Sequence, residues 1–157
     1  MQAKLLDSIH SPADIKALDY RQLERLCGEI REFLIENVSK TGGHLSSNLG
    51  VIELTVALHR CFTTPVDMIV FDVGHQCYTH KILTGRKDRL STRRQGGGLA
   101  GCPAPAESPH DSFKSGHGST AISVAAGLAR AKKLKNEPGL VIAIVGDGAF
   151  TGGLAYE

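Results

Sequence analysis

The sequence predicts an α/β fold whose parallel sheet is covered on both faces. Residues 68–73 and 140–145 are strongly apolar runs, typical of parallel strands buried between layers of helices. A long crossover that includes a predicted helix separates the two runs, as a parallel connection requires. Because two strands do not make a stable sheet, the remaining strands must come from later sequence, from another chain, or not at all.

Two helices are predicted before the first strand. Apolar residues recur at helical spacing over 19–38, which predicts a helix. Asp19 and Gln22 resemble a capping box at its start, and Thr41-Gly42-Gly43 is expected to end it. Residues 50–61 are apolar nearly all round, so the second helix is predicted to be buried.

The other segments are less regular. Residues 1–18 are expected to form a surface arm with a turn at Ser11-Pro12. A short helix is expected over 78–84 and a longer one over 119–135, where small residues permit close packing. Residues 93–116 are rich in glycine, proline and serine, which predicts a loop. A loop of that length inside a compact domain is usually functional or disordered.

Composition limits the classes of function. A chain of 157 residues predicts about one domain, and hydrophobic and charged fractions of 41% and 22% are ordinary for a globular protein. The net charge of +2 is too small to indicate nucleic acid or a membrane surface as a partner. The sequence has neither a signal-peptide pattern nor an apolar run of membrane-spanning length, so the cytoplasm is the expected location.

Cysteines and basic residues receive ordinary structural interpretations. The four cysteines are widely spaced, which argues against a zinc site; they are Cys27, Cys61, Cys77 and Cys102. Cys27 and Cys61 fall at apolar helix positions and are predicted to be small buried hydrophobic residues. A basic cluster near the end of the 119–135 helix is expected to complement the helix dipole and face water; it comprises Arg130, Lys132, Lys133 and Lys135.

The most informative motif is the glycine-rich stretch at 145–153, directly after the second predicted strand. Open α/β sheets bind phosphorylated ligands at the carboxyl ends of their strands. Glycines let the backbone approach a diphosphate closely, and Asp147 offers a hard oxygen ligand to Mg²⁺. Gly146-x-Gly148 also resembles part of a dinucleotide fingerprint, but the helix, strand and ribose-binding acid of that motif do not follow.

Glycine precedes three histidines, in Gly43-His44, Gly74-His75 and Gly116-His117. Glycine there indicates backbone that turns tightly or touches a ligand. The second pair follows a strand and the third begins a helix, which are favourable places for anions. Ser119 or Thr120 is expected to cap that helix. Its N–H groups either hold a phosphate or belong to an ordinary capped helix, and spacing alone does not decide between them.

Four motifs occur in one order along the chain: Gly-His-Leu-Ser-Ser at 43–47, Asp-Val-Gly-His-Gln at 72–76, Ser-Gly-His-Gly-Ser-Thr at 115–120 and Val-Gly-Asp-Gly-Ala-Phe-Thr-Gly-Gly at 145–153. On these motifs the chain resembles the amino-terminal part of the 1-deoxy-D-xylulose-5-phosphate synthase family, thiamine-diphosphate enzymes of the transketolase superfamily. The resemblance covers essentially all of the sequence.

The resemblance implies a partial doubly wound parallel sheet of the thiamine-diphosphate-binding fold, with residues 1–157 as an incomplete amino-terminal domain. It implies condensation of pyruvate with D-glyceraldehyde 3-phosphate and loss of CO₂, toward isoprenoid and thiamine precursors. It implies that Asp147 binds Mg²⁺ and that His44 is the active-site histidine. It also implies that six further residues bind thiamine diphosphate, which are His75, Gly116, His117, Gly118, Gly148 and Ala149.

In the family's order, an asparagine that binds Mg²⁺ and a glutamate of the next domain come after Glu157. By resemblance, this chain alone is therefore expected neither to turn over nor to hold the cofactor tightly. It is expected to form a homodimer or to pair with a carboxyl-terminal chain. The alternative is a degenerate remnant that acts only in protein–protein association.

Some residues depart from the family pattern: Gly118 stands where serine is usual, and Gly96, Ala104 and Ala106 stand where larger or basic residues are common.

Overall fold

The computed structural model describes residues 4–157, which group into two compact units. The first unit comprises residues 4–63 and Gln76–Gly101, and the second comprises Thr64–His75 and Cys102–Glu157. Residues 1–3 of the expected surface arm lie outside the described part of the chain.

The first unit is helical. Its helices are α1 (Tyr20–Thr41), α2 (Leu45–Leu49), α3 (Ile52–Cys61) and α4 (Tyr78–Lys81). The capping box of α1 is confirmed, because Asp19 Oδ1 accepts the Gln22 N–H at 2.8 Å and Gln22 Oε1 accepts the Asp19 N–H at 2.9 Å. Gly42 ends α1 in a left-handed conformation, with φ 71°. The predicted helix over 78–84 begins as α4 and continues into a wide turn over Ile82–Arg86.

Helices α1 and α3 pack against each other, and one face of each is buried. The prediction that the second helix is buried nearly all round is wrong, because Leu54 on α3 is 48% exposed. Cys61 at the end of α3 is also exposed, whereas Cys27 is buried as predicted. The pattern of apolar residues shows which faces of a helix could be buried, but it does not show how many of them other elements cover.

The segment before α1 is not a surface arm. It forms two short 3-10 turns, Leu5–Ser8 and Pro12–Ile15, whose apolar residues are buried: Leu6, Ile9 and Ile15 are at most 2% exposed. Lys16 Nζ donates to two backbone carbonyls at the end of α3, those of Arg60 at 3.1 Å and Phe62 at 2.7 Å. The segment contributes to the core, although its apolar residues follow neither helical nor strand periodicity.

We expect the replacement Glu29→Gln to loosen this segment and to alter the pH dependence of stability. Burial acts to raise the pKa of Glu29, but bonds from the Leu6 and Leu5 N–H groups and from Arg25 outweigh it, so the pKa lies below its usual 4.5. The Leu6 and Arg25 bonds are both 2.7 Å long. Losing these charge-assisted bonds should lower the free energy of unfolding by about 1–2 kcal/mol at pH 7.

A carboxylate whose folded pKa is depressed stabilises the protein above its unfolded pKa, and that stabilisation is lost as pH falls through the folded pKa. The difference between wild type and Glu29→Gln, measured by urea denaturation, should therefore be full at pH 7 and shrink as the pH drops below about 4.5. The control is Glu32→Gln, since Glu32 is 74% exposed and should contribute under about 0.5 kcal/mol. A difference that grows on acidification would contradict this assignment.

The second unit contains β1 (Met68–Phe71), α5 (Ala121–Lys135) and β2 (Val141–Ile144). Within the described residues the two strands pair in parallel, with Met68 opposite Val141 and Phe71 opposite Ile144. The predicted strands, the crossover helix and the parallel pairing are all confirmed. Residues 93–116 contain neither helix nor strand, as predicted, and the helix predicted over 119–135 is α5, which begins two residues later.

Two details of burial differ from the sequence expectation. Only Ile144 of β2 is fully buried, so this strand is half-covered and not enclosed on both faces. The basic cluster on α5 does not all face water, because Lys132 is buried and its Nζ donates to the Val66 carbonyl at 2.9 Å. Between residues 4 and 157 the helices are too short or too polar to cross a membrane.

Candidate functional site

In the second unit, Asp72 joins the end of β1 to the start of α5. Its carboxylate is 2% exposed and accepts the N–H groups of Ser119 at 2.9 Å and Ala121 at 3.1 Å. Beside it, the Gly116 N–H donates to the Val73 carbonyl at 3.1 Å. The turn at residues 116–119 is therefore fixed at the carboxyl end of β1, at the edge where parallel sheets bind ligands.

The Asp72 contacts place a carboxylate at the amino terminus of α5. Thr120 occupies the cap position but makes no capping bond. Its hydroxyl instead pairs with Ser115 Oγ at 2.9 Å and donates to the His117 carbonyl at 3.1 Å. The expected cap position at Thr120 is confirmed, but the capping bond comes from the more distant Asp72 carboxylate, which accepts the Ala121 N–H. A negative charge there is favourable for the helix dipole.

The glycine-rich segment after β2 forms a 3-10 turn, Asp147–Thr151. Asp147 is exposed, and a Cβ added at Gly146 or Gly148 would meet nothing within 4 Å. Two amide groups of this turn have partners inside it: Gly148 N–H donates to Asp147 Oδ1 at 2.9 Å, and Ala149 N–H donates to the Gly146 carbonyl at 3.0 Å. The turn presents an exposed carboxylate and open glycine backbone.

Ser119 links the two turns. Its N–H is held by Asp72, and its Oγ donates to the Ala149 carbonyl at 2.6 Å. The structure thus brings Gly116, His117 and Gly118 into one connected group with Gly148 and Ala149. The sequence analysis did not single out this hydroxyl for that role, since the contact joins residues 30 positions apart.

Two histidines of the second unit, His75 and His117, follow glycines with positive φ. Gly74 has φ 95°, and a Cβ there would lie 2.5 Å from Pro103 Cδ, so only glycine fits before the half-buried His75. His117 is exposed, and its backbone N–H donates to Ser115 Oγ at 3.1 Å. The reason given for glycine at position 74, a tight backbone turn, is confirmed.

His44 belongs to the first unit, where it precedes α2 and its side chain is exposed. Its N–H donates to Tyr78 Oη at 3.4 Å, and its carbonyl accepts from Asn48 Nδ2 at 2.6 Å. The buried Asn48 also accepts the Tyr78 N–H at 2.9 Å. The backbone of His44 is therefore held by a small polar network within the first unit.

Arg93 supports the same network and was missed by the sequence analysis. It is 1% exposed and stacks on the Tyr78 ring, with Cζ 3.9 Å from the ring centroid. Its Nη2 donates to Thr41 Oγ1 at 2.8 Å and to the Gly42 carbonyl at 2.5 Å, where a cation also favours the end of α1. Nε and Nη1 have no hydrogen-bond partner among the described residues, and burial lowers the pKa of this guanidinium.

No group of three histidine, cysteine, aspartate or glutamate side chains converges on a metal position within residues 4–157. A metal ion bound by a single carboxylate completes its shell with water, ligand oxygens or other groups. Mg²⁺ binds in this way, because it retains several waters and bridges to phosphate oxygens.

Parallel strands that end in connected, glycine-rich turns place the chain among α/β proteins with their candidate site at the carboxyl edge of the sheet. A family model described as 1-deoxy-D-xylulose-5-phosphate synthase matches residues 6–157. The chain belongs to this family.

Relatives of the same name show how much of the family's length is present. The chain is 58% identical over 155 residues to a 1-deoxy-D-xylulose-5-phosphate synthase of Dechloromonas aromatica, a match that covers 99% of this chain and 25% of the relative. It is 57% identical over 153 residues to such proteins of Geobacter sulfurreducens and Caldanaerobacter subterraneus subsp. tengcongensis, covering 98% of this chain and 24% and 25% of those relatives. The chain spans about a quarter of the length of the curated relatives it matches.

Proposed function

We propose that this chain forms the amino-terminal part of a synthase that condenses pyruvate with D-glyceraldehyde 3-phosphate and releases CO₂. In this proposal the second unit provides the diphosphate side of a thiamine diphosphate site, within an incomplete doubly wound domain. The observation that carries it is the Ser119 link, which joins the 116–118 turn to the Gly148-Ala149 turn at one sheet edge. When bound, thiamine diphosphate would supply the carbon–carbon bond chemistry.

The chemistry of the second unit fits a metal-bound diphosphate. Asp147 would bind Mg²⁺ through an exposed carboxylate, and the open backbone at Gly146 and Gly148 leaves room for phosphate oxygens. The Gly148 N–H now donates to Asp147 Oδ1. Rotation of that side chain toward a metal would release the N–H for a diphosphate oxygen. His75, Gly116, His117, Gly118 and Ala149 would complete the contacts.

The departure at Gly118 does not close the site. A Cβ there would lie 3.7 Å from Val73 Cγ2 and 3.8 Å from Asp72 Oδ1, which are ordinary contact distances. The Cβ of serine, the usual residue by resemblance, would fit without rearrangement. We therefore attribute to Gly118 the loss of one hydroxyl and not a change in shape.

His44 is proposed as the histidine near the reacting carbon. In this role its exposed imidazole would transfer protons to and from the substrate, while the Tyr78 and Asn48 bonds fix its backbone. The assignment rests on the Gly-His-Leu-Ser-Ser motif. The whole protein is proposed to act as a homodimer or together with a carboxyl-terminal chain.

Calorimetric titration of the chain with thiamine diphosphate and Mg²⁺ tests the proposal. With about a quarter of the relatives' length present and one carboxylate for the metal, we expect weak binding, on the order of millimolar. Asp147→Asn should abolish it, whereas Asp88→Asn, a change of an exposed aspartate in the first unit, should leave it unchanged. Micromolar affinity or product formation by the chain alone would contradict this account, and a complete lack of binding would favour the non-catalytic remnant.

A further inference from the structure

We propose that Ser119 is a positioning residue that fixes the Asp147–Thr151 turn against the start of α5 and so sets the spacing of the two turns. Ser119 has this positioning role in the chain without any ligand. That the spacing of the turns also matters for diphosphate binding rests on the proposed function.

The backbone of Ser119 is held in an unfavourable conformation. Its φ is 66°, in the left-handed region that residues other than glycine seldom adopt. The bond from its N–H to the buried Asp72 carboxylate, at 2.9 Å, holds it there. Strain of this kind persists only where the surrounding structure determines it, and it occurs at functional sites.

That conformation directs the side chain toward the glycine-rich turn. Ser119 Oγ donates to the Ala149 carbonyl at 2.6 Å, and the same carbonyl accepts the Gly152 N–H at 3.3 Å. By comparison, Ser123, which lies four residues later and inside α5, approaches the Leu154 carbonyl only at 3.5 Å. Ser119 therefore makes the short bond between helix and turn, and the Ala149 carbonyl is its anchor point.

Gly152 provides independent support. Its φ of −83° suits any residue, so backbone conformation does not require glycine there. A Cβ at Gly152 would nevertheless lie 2.0 Å from Ser119 Oγ and 2.7 Å from Ser119 Cβ, while the next neighbour, the Ala149 carbonyl oxygen, is at an ordinary 3.5 Å. Glycine at 152 is thus required by the Ser119 side chain itself.

The first experiment measures amide hydrogen exchange and carbonyl ¹³C shifts by NMR on the full chain without ligand. In Ser119→Ala we expect the amides of Ala149 and Gly152 to exchange about five- to tenfold faster, from the loss of one hydrogen bond. The Ala149 carbonyl carbon should shift upfield. Ser123→Ala is the matched control and should leave both readouts unchanged. Unaltered exchange and an unaltered carbonyl shift in Ser119→Ala would overturn the inference.

A double-mutant cycle at Ser119 and Gly152 tests whether their close contact sets the position of the turn. It compares the effect of one substitution in two backgrounds, so it does not depend on the stability of a single variant. Gly152→Ala alone should accelerate exchange throughout residues 147–152. In the Ser119→Gly background, which removes both clashing atoms and suits the positive φ, the same change should have little effect. Equal effects of Gly152→Ala in both backgrounds would show that Ser119 does not set this spacing.

The effect of Ser119 on diphosphate binding is tested by titrating wild type and Ser119→Ala with thiamine diphosphate and Mg²⁺. We expect the dissociation constant to rise at least about fivefold in the variant, as expected from losing one ordering hydrogen bond. If exchange responds to Ser119→Ala but wild type binds no diphosphate, the proposed function fails and the positioning role stands. If both proteins bind equally while exchange differs, the spacing does not govern binding.

Discussion

Replacement of Asp72 by alanine is expected to destabilise the second unit by about 3–5 kcal/mol. The buried carboxylate accepts the Ser119 and Ala121 N–H groups, and charge-assisted bonds of this type contribute about 1.5–3 kcal/mol each. The variant would leave two N–H groups unsatisfied and would remove the negative charge from the start of α5. Urea denaturation followed by far-ultraviolet circular dichroism measures the loss.

Asp72→Asn keeps the size of the side chain but removes its negative charge. The amide keeps one acceptor oxygen, so it should cost less than Asp72→Ala but more than the exposed control Asp88→Asn, which should stay within about 0.5 kcal/mol of wild type. Denaturation midpoints that coincide for wild type and Asp72→Ala would show that the carboxylate does not hold β1 and α5 together.

Gly139→Ala is expected to have an effect of similar size at the other end of the sheet. Gly139 has φ 93°, and a Cβ there would lie 2.2 Å from the Val66 carbonyl oxygen, a backbone atom that cannot move aside cheaply. Two bonds that align β2 with β1 flank this position: Leu140 N–H to Asp67 Oδ1 and Met68 N–H to the Leu140 carbonyl, both at 2.8 Å. Forcing the segments apart should cost about 3–5 kcal/mol.

The chain offers a control of opposite sign for this substitution. Gly127 lies inside α5, and a Cβ there would meet nothing within 4 Å. Gly127→Ala should therefore raise the free energy of unfolding by about 0.5–1 kcal/mol, because alanine favours the helix. Thermal or urea denaturation that ranked the two alanine variants the other way would contradict the packing described at Gly139.

Local patterns were enough to predict the regular elements. The capping box of Asp19 and Gln22, the end of α1 at Gly42 and the two parallel strands all depend on residues close in sequence or on strong apolar runs. Motif order was enough to indicate the family, and the glycine before His75 proved necessary for the turn it makes.

Contacts between distant residues were not predictable in the same way. Asp72 caps a helix that begins 49 positions later, and its place in an apolar run does not indicate which N–H groups its carboxylate accepts. The buried residues Leu6 and Ile9 lie in a segment without periodicity, and the exposure of Cys61 depends on which surfaces α3 meets. The positive φ of Ser119 depends on its bond to Asp72, so it could not be predicted from the sequence either.

We propose that the 116–119 and 146–149 turns form one binding surface for a metal-bound diphosphate. An NMR titration of the full chain with Mg²⁺ and thiamine diphosphate, following every assigned amide, tests this directly. We expect shifts concentrated at those two turns and at His75, and absent in Asp147→Asn. Saturable shifts located elsewhere, or shifts that persist undiminished in Asp147→Asn, would contradict it.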